Sequence, residues 1–255
     1  MNVLLTGYKG FIGQHMLRAL EAKGHTVSTY EWGEVLPSIL EQDWVIHLGA
    51  ISSTTERDIE KVMQQNVDFT QQLYSACHTF GVNFQFSSSA SVYGLVSSFS
   101  ENAPLDPRTP YAWSKYLSER YINRRPMGSI TQIFRYFNVY GPDGEEHKGK
   151  QASPYYQFST QYKENGRIKV FENSENYLRD FISVSEIVKM HLQFMNIEQS
   201  GTWNMGTGTT KSFLDVALSI APPDCIDKIP MPIELQDSYQ KYTCANIDRL
   251  RATLA

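Results

Sequence analysis

Short apolar runs alternate with longer segments of helical periodicity through the first half of the chain. Short apolar runs predict buried strands, and apolar positions that recur every three or four residues predict helices. The predicted strands are Asn2–Thr6, Thr26–Tyr30, Trp44–Leu48, Asn83–Ser87 and Ile130–Arg135. The predicted helices are Phe11–Ala22, Ile59–Phe80 and Ala112–Arg125, the first closing at Gly24 and the second at Gly81. This alternation is typical of a parallel sheet with helices on both faces.

The segment between Glu31 and Trp44 is too short for the helix and strand that normally follow a second strand. Such a pair with its turns needs about 25 residues. One short helix, about Gly33–Glu41, fits instead. We therefore expect the sheet to lack one strand beyond Thr26–Tyr30.

From about Gly141 the pattern becomes less regular and prolines are frequent. Asn165 and Gly166 predict the end of a helix before a strand at Lys169–Phe171. Thr202–Asn204 is predicted to return to the sheet as a further strand.

A glycine-rich turn, T-G-Y-K-G-F-I-G, follows the first predicted strand, with glycines at positions 7, 10 and 13. Small residues at this spacing permit a tight turn, a close approach of the backbone to a pyrophosphate, and packing of the helix on the sheet. The phosphates would lie at the N-terminus of that helix. Glu31 ends the second strand, close to where an acid contacts the adenosine ribose, and no Arg or Lys follows it closely. The sequence therefore favours NAD, with NADP as the alternative cofactor.

These patterns together predict an α/β fold, a Rossmann-type doubly wound parallel sheet missing one strand near the adenine edge, with a smaller C-terminal substrate lobe. Residues 1–140 would form the dinucleotide-binding domain. Residues 141–255 would be mainly the substrate-binding lobe, with about 181–205 returning to the first domain.

Tyr111 and Lys115, in Y-A-W-S-K, predict a proton-transfer site. With three residues between them the two side chains share a helical face, so the ammonium would favour the phenolate and lower the pKa of the tyrosine. A serine-rich segment, S-S-S-A-S-V-Y-G from Ser87 to Gly94, precedes this helix. Serines are also common in structural loops, so this segment alone leaves both interpretations open.

These motifs resemble the extended short-chain dehydrogenase/reductase superfamily of nucleotide-sugar epimerases and dehydratases. Within it, four segments are similar to the ADP-L-glycero-D-manno-heptose 6-epimerases: G-A-I-S-S-T-T-E from Gly49, F-R-Y-F-N-V-Y-G-P from Phe134, H-K-G from His147, and F-E-N-S-E-N-Y-L-R-D-F from Phe171. The resemblance implies transient oxidation at C6″ of the sugar to a ketone, followed by hydride return to the opposite face. The serine segment reads S-S-A and lacks the T-D-E of the dehydratases, which favours epimerisation over water elimination.

The resemblance also implies roles for individual residues. Catalytic roles fall to Tyr111, Lys115, Ser89 and Lys148, with Ser89 polarising the substrate oxygen and Lys148 facing the sugar from the side opposite Tyr111. The implied cofactor contacts, besides Tyr111 and Lys115, are Gly7, Gly10, Phe11, Ile12, Gly13, Glu31, Trp32, Leu48, Gly49, Ala50, Asn66 and Val139. The implied substrate contacts, besides Ser89, are Ser52, Asn138, Lys150, Phe171, Glu172, Ser174, Arg179 and Tyr239.

Two other interpretations remain open from the residues. One is a different nucleotide-sugar epimerase or reductase, such as a UDP-sugar 4-epimerase. The other is a catalytically inactive dinucleotide-binding module, against which the presence of all four catalytic residues argues.

Composition narrows the class of protein further. The chain has 255 residues, of which 41% are hydrophobic, enough for one sizeable core or a main domain with a smaller lobe. Its net charge of −4 argues against a nucleic-acid partner. No apolar run approaches the ~20 residues that span a membrane, and the N-terminus has no signal-peptide layout. We expect a cytoplasmic protein that binds no membrane, and a homo-oligomer as the resemblance implies.

The cysteines and histidines predict no metal site and no disulfide framework. Cys77, Cys225 and Cys244 are odd in number and widely spaced, and the histidines show no H-x-x-x-H spacing.

Overall fold

The computed structural model describes residues 1–126, 128–233 and 240–255, apart from the side chain of Lys150. The helices are α1 (Phe11–Ala22), α2 (Ile59–Val62), α3 (Phe69–Phe80), α4 (Pro110–Asn123), α5 (Pro154–Asn165), α6 (Val184–Phe194), α7 (Phe213–Leu218) and α8 (Asp248–Leu254). A π-helical segment, Met63–Asp68, joins α2 to α3. Short 3₁₀ segments lie at Ala90–Tyr93, Glu146–Gln151, Ser174–Asn176 and Pro223–Cys225.

The strands are β1 (Asn2–Thr6), β2 (Thr26–Tyr30), β3 (Trp44–His47), β4 (Asn83–Ser89), β5 (Thr131–Tyr136), β6 (Asn138–Tyr140), β7 (Ile168–Phe171), β8 (Leu178–Arg179), β9 (Phe181–Ser183), β10 (Gly201–Met205), β11 (Lys211–Ser212), β12 (Ile226–Ile229) and β13 (Tyr242–Thr243). The main sheet has six strands in the order β10-β5-β4-β3-β1-β2, and every neighbouring pair is parallel. Three small sheets pair β6 with β9, β7 with β12, and β8 with β11 and β13.

Alternating residues of the sheet strands pack on opposite layers of helices. Leu4 of β1 belongs to the cluster that includes Leu73 of α3 and Ile122 of α4. Val3, its neighbour, belongs to the cluster that includes Met16 of α1 and Val188 of α6. Because successive strand residues point to opposite faces, this division puts helices on both sides of the sheet. The prediction of a doubly wound parallel α/β fold is confirmed.

The edge of the sheet at β2 is also as expected, since no strand of the described residues lies beyond it. The short helix predicted at Gly33–Glu41 is wrong, because turns and irregular backbone occupy that segment. Gly33 has a φ of 92°. Two of the apolar side chains in this segment, Val35 and Leu40, are 92% and 65% exposed. Since a short helix is stabilised mainly by packing of an apolar face, this segment has little that could stabilise one.

The second half of the chain contributes to both parts of the molecule. β10 pairs with β5 at one edge of the main sheet, and α6 packs on α1. Both elements lie in the range that the sequence predicts to return to the first domain. The division at residue 140 itself stays a prediction. No helix in the described ranges is long and apolar enough to cross a bilayer.

Candidate active site

The glycine-rich turn packs backbone against backbone. Gly7 has a φ of 73° and donates its N–H to Tyr30 O at 2.9 Å, which joins the end of β1 to the end of β2. A Cβ at Gly7 would lie 2.5 Å from Gly49 Cα, and one at Gly13 would lie 2.0 Å from Gly7 O. Gly10 precedes α1 without a side-chain cap, so no capping side chain occupies the first N–H groups of the helix. This is the arrangement that binds phosphates at a helix N-terminus.

A cavity of about 390 Å³ extends from this turn to Tyr111 and Lys115. Of the predicted site residues, those lining it are Gly7, Gly10, Phe11, Ile12, Gly13, Glu31, Leu48, Gly49, Ala50, Ser52, Ser89, Tyr111, Lys115, Val139 and Lys148. A smaller cavity of about 90 Å³ shares Glu31 and Gly49 with it and is also lined by Trp32 and Phe69. Residues distant in the chain thus come together at the carboxyl end of the sheet, where parallel α/β folds bind ligands.

Helix α4 brings Tyr111 and Lys115 into the cavity. It begins at Pro110, after Thr109 whose hydroxyl accepts from Ala112 N, and Pro at this position is pre-set for a helix start. The Lys115 Nζ donates to Ser87 O at 2.7 Å and lies 5.8 Å from the centre of the Tyr111 ring. Ser89 ends β4, accepts from Ser91 N, and hydrogen bonds with Tyr111. The cavity wall therefore holds a phenol between a hydroxyl and an amine.

Burial determines the protonation of these groups. Burial raises the pKa of Tyr111, and the hydrogen bond with Ser89 opposes this. The expectation that the pKa of the tyrosine is lowered is therefore wrong here, since removal from water outweighs the hydrogen bond with Ser89. Burial likewise lowers the pKa of Lys115 to about 7, against the opposing charge of Glu119.

Lys148 lies on the 3₁₀ segment Glu146–Gln151, which reaches the same cavity from a different part of the fold. Its Nζ lies 3.6 Å from Glu145 Oε2 and 4.9 Å from the centre of the Phe11 ring. Burial lowers its pKa, whereas Glu145 raises it. Two groups that can exchange protons, Tyr111 and Lys148, thus line one cavity.

The residues predicted to hold the substrate are divided between several places. Phe171 and Ser174 line a second cavity, of about 680 Å³, between α5, β7 and Phe213. Ser174 is 1% exposed, and its hydroxyl has no hydrogen-bond partner among the described residues. Arg179 is buried, donates to the carbonyls of Leu178 and Gln240, and lies over the Phe213 ring.

Three other predicted contacts have different surroundings. Asn66 lies behind the cavity, where its amide accepts from Ile51 N at 2.8 Å and donates to Ile51 O and Ser114 Oγ. Asn138 donates to Asp180 O at 2.9 Å, and the side chain of Glu172 is exposed. Asn66 therefore shapes the loop after β3 and does not face the cavity. The predictions for Tyr239 and for the Lys150 side chain concern positions outside the described residues.

Several cavity residues were not predicted. Ser87 and Ser88 lie beside Ser89, and Tyr136, Phe137 and His147 stand within segments that carry the resemblance, so each motif could have suggested them. Phe69, on α3, carries no such signal, because an apolar residue at helical spacing normally indicates core. The sequence also did not predict that a cation, Lys9, lies near Glu31. It pairs with Glu34 at 2.7 Å, and Glu34 also accepts from Glu31 N.

No group of three or more His, Cys, Asp or Glu side chains within the described ranges could hold a metal ion.

Comparison with known proteins places the chain in the NAD-dependent epimerase/dehydratase family, whose model matches residues 31–206, more than half of the chain. The resemblance stated from the sequence is confirmed at this level, as is the prediction of an enzyme whose family uses NAD. The glycine turn, the helix N-terminus and Glu31 in the adjoining cavity fit a dinucleotide.

Solved structures share the fold over nearly the whole chain. UDP-N-acetylglucosamine 4-epimerase from Methanobrevibacter ruminantium superposes with a TM-score of 0.87 and 23% identity, covering 100% of this chain and 91% of that one. UDP-glucose 4-epimerase from Thermotoga maritima gives 0.84 and 25%, with 100% and 92% coverage. ADP-L-glycero-D-manno-heptose-6-epimerase from Helicobacter pylori gives 0.85 and 22%, with 99% and 89% coverage.

Proposed function

We propose that this protein is a nucleotide-sugar epimerase that inverts C6″ of an ADP-glyceromanno-heptose. The observation that supports the proposal is the placing of Tyr111 and Lys148 in one cavity with the glycine-rich turn. An epimerase must exchange protons with its substrate in two configurations, and two proton-transfer groups on separate elements meet that need.

Each catalytic side chain has its own role in the proposed reaction. NAD, when bound, supplies the oxidation and re-reduction of the sugar carbon. Tyr111 takes the hydroxyl proton of one epimer, and Ser89 hydrogen bonds to the same substrate oxygen. Lys115 positions the end of β4 through Ser87 O and places a positive charge beside the phenol. After the sugar has turned over in the cavity, Lys148 supplies the proton for the other configuration.

The second cavity is proposed to hold the nucleotide part of the substrate. Its wall combines the aromatic Phe171 and Phe213 with the buried Ser174 hydroxyl, a combination that suits a base and its polar edge. Arg179 is proposed to bind the diphosphate, since a guanidinium matches paired phosphate oxygens. Asn138 and Glu172 stay predictions as substrate contacts, as do a homo-oligomeric state and a cytoplasmic location.

A UDP-sugar 4-epimerase is the second candidate. This candidate is supported by the fold, since the TM-scores of the two 4-epimerases, 0.87 and 0.84, are similar to the 0.85 of the 6-epimerase. The H-K-G segment at Lys148 favours the heptose.

One assay separates the candidates. The purified protein with NAD is incubated in parallel with ADP-D-glycero-D-manno-heptose, UDP-glucose and UDP-N-acetylglucosamine, and NMR of each sugar follows its configuration. We expect the L-glycero-D-manno epimer to form and the UDP-sugars to remain unchanged. Conversion of a UDP-sugar without conversion of the heptose would contradict the proposal.

A further inference from the structure

Glu145 is a buried carboxylate beside Lys148 that the predicted site does not include. It lies between β6 and α5 and has no exposed surface. Its carboxylate accepts from Ser153 N at 2.6 Å, from Ser153 Oγ at 2.7 Å and from Gly141 N at 3.3 Å. Leaving such a group buried without partners would be costly, so these donors and the nearby Lys148 ammonium account for its position.

These contacts bring both ends of one loop to a single group. Gly141 directly follows β6, and Ser153 accepts from Tyr156 N as the N-cap of α5. Lys148 lies between them and donates its backbone N–H to Glu145 O at 3.0 Å. The carboxylate therefore ties the two ends of the segment that carries the lysine.

The Lys148 amine is held from two sides. Glu145 Oε2 lies 3.6 Å from Nζ, and the Phe11 ring, at the start of α1, lies 4.9 Å away. The other titratable groups that line this cavity are Glu31, Tyr111, Lys115, Tyr136 and His147. Glu145, behind the cavity wall, is the carboxylate that forms an ion pair with Lys148.

We propose that Glu145 is a positioning residue: its buried carboxylate fixes the loop 141–153 and holds the Lys148 ammonium at the cavity wall as a proton donor. This proposal rests on the proposed function for its catalytic consequence, but not for its geometry. Glu145 acts through Lys148 and does not line the cavity itself.

The test measures the protonation of Lys148 directly. The protein with NAD is acetylated with acetic anhydride over a range of pH, and mass spectrometry of the peptides gives the pH at which Lys148 is half-reactive. The exposed Lys163 serves as the internal reference. In Glu145→Gln the amine should lose its proton more readily, so its half-reaction should move to lower pH by about one unit.

Ser153→Ala is the matched control. It removes one hydrogen bond to the carboxylate and the N-cap bond with Tyr156 but keeps the charge, so the half-reaction of Lys148 should stay at the wild-type pH. An unchanged half-reaction in Glu145→Gln would overturn the proposal, as would an equal shift in Ser153→Ala. Acetylation requires no turnover, so its result does not depend on the epimerisation assay. The role of Glu145 can therefore be contradicted while the proposed function stands, and the proposed function can be contradicted while the role of Glu145 stands.

Should Glu145→Gln fail to fold, the ion pair can be tested from the other side. Lys148→Met removes the cation beside a buried carboxylate, and removing one partner of such a pair is strongly destabilising. We expect its Tm to lie at least about 3 °C below that of the surface variant Lys163→Met. Equal Tm values for the two variants would overturn the proposal.

Discussion

At the scale of single residues, burial dominates the chemistry of the cavity. It raises the pKa of Tyr111 and lowers the pKa of Lys115 and of Lys148, in each case against a neighbouring group that acts in the opposite direction. Burial favours the protonated phenol, whereas a positive charge beside it favours the phenolate that can take a proton from a substrate, and Lys115, with a pKa of about 7, can carry that charge at neutral pH. These are the properties that proton exchange with a sugar hydroxyl requires.

Tyr111→Phe tests the main proton-transfer group, because it removes the hydroxyl while keeping the ring. We expect turnover of the heptose to fall by at least ~100-fold, in line with the contribution of general acid–base catalysis, with little change in Tm. Tyr116→Phe, on the same helix and outside the cavity lining, is the control and should retain activity. Turnover of Tyr111→Phe near the wild-type rate would remove Tyr111 from the mechanism.

Lys115 should make stability depend on pH. Its folded-state pKa of about 7 lies below the ordinary value of 10.5, so the unfolded chain binds more protons between these values, and the free energy of unfolding rises with pH. Between about pH 7 and pH 9 the rise from this group is about 2 kcal/mol. Urea unfolding at both pH values should show this rise in the wild type and its loss in Lys115→Met. An equal pH dependence of the two proteins would contradict the low pKa.

At the scale of elements, the N-terminal turn is defined by backbone contact. Gly13 lies where any side chain would meet Gly7 O, and Gly7 lies where one would meet the Gly49 backbone. The start of α1 is therefore fixed relative to both β1 and the loop after β3, and these three pieces form one end of the cavity.

Gly13→Ala should disturb this contact. The added Cβ would lie 2.0 Å from Gly7 O, so α1 must shift, and such overpacking costs about 1–3 kcal/mol of unfolding free energy. In Gly10→Ala the same distance is 3.3 Å, and we expect a smaller loss. Urea denaturation of the two variants compares them directly, and equal stabilities would show that the turn is not closely packed.

The end of β2 should select the cofactor. Glu31 lines both the main and the adjoining cavity, and a carboxylate accepts from a ribose diol but repels a phosphate. We expect NAD to bind more tightly than NADP by roughly 1–3 kcal/mol, and Glu31→Gln to narrow the difference. Calorimetric titration with each cofactor is the measurement. Equal affinities, or tighter NADP binding, in the wild type would contradict the role of Glu31.

The elements show where sequence reasoning succeeds and where it fails. β1, α1 and β2 were predicted with the bounds that the structure has, because Gly7 directly follows the apolar β1 and Gly24 separates the periodic α1 from β2. The helix at Gly33–Glu41 failed because local periodicity cannot show that Val35 and Leu40 have no surface to pack on. The π-helical widening at Met63–Asp68 was also missed. Within it the carbonyl of Asn66 accepts from Thr70 of the same helix and from Ser118 of α4, and the contact with Ser118 exists only in the folded chain.

At the scale of the whole molecule, the site is assembled by topology. The glycine turn, β4, α4 and the loop after β6 are far apart in the chain and meet at one cavity because the sheet is parallel. The periodic pattern predicted the sheet, but only the family resemblance suggested that Lys148 belongs with Tyr111. Glu145 carries no motif of its own, since its contacts with Gly141 and Ser153 exist only in the folded loop.

The division of proton transfer between Tyr111 and Lys148 is the central claim, and Lys148→Met tests it most directly. Met keeps most of the packing of the stem on Phe11 but removes the group that serves one C6″ configuration. Each ADP-heptose epimer is supplied separately to the variant with NAD, and reduced cofactor at about 340 nm and NMR of the heptose are followed. We predict that oxidation of the epimer served by Tyr111 persists while interconversion of the two heptoses falls at least ~100-fold. Interconversion at the wild-type rate, or equal loss of both activities, would contradict this account.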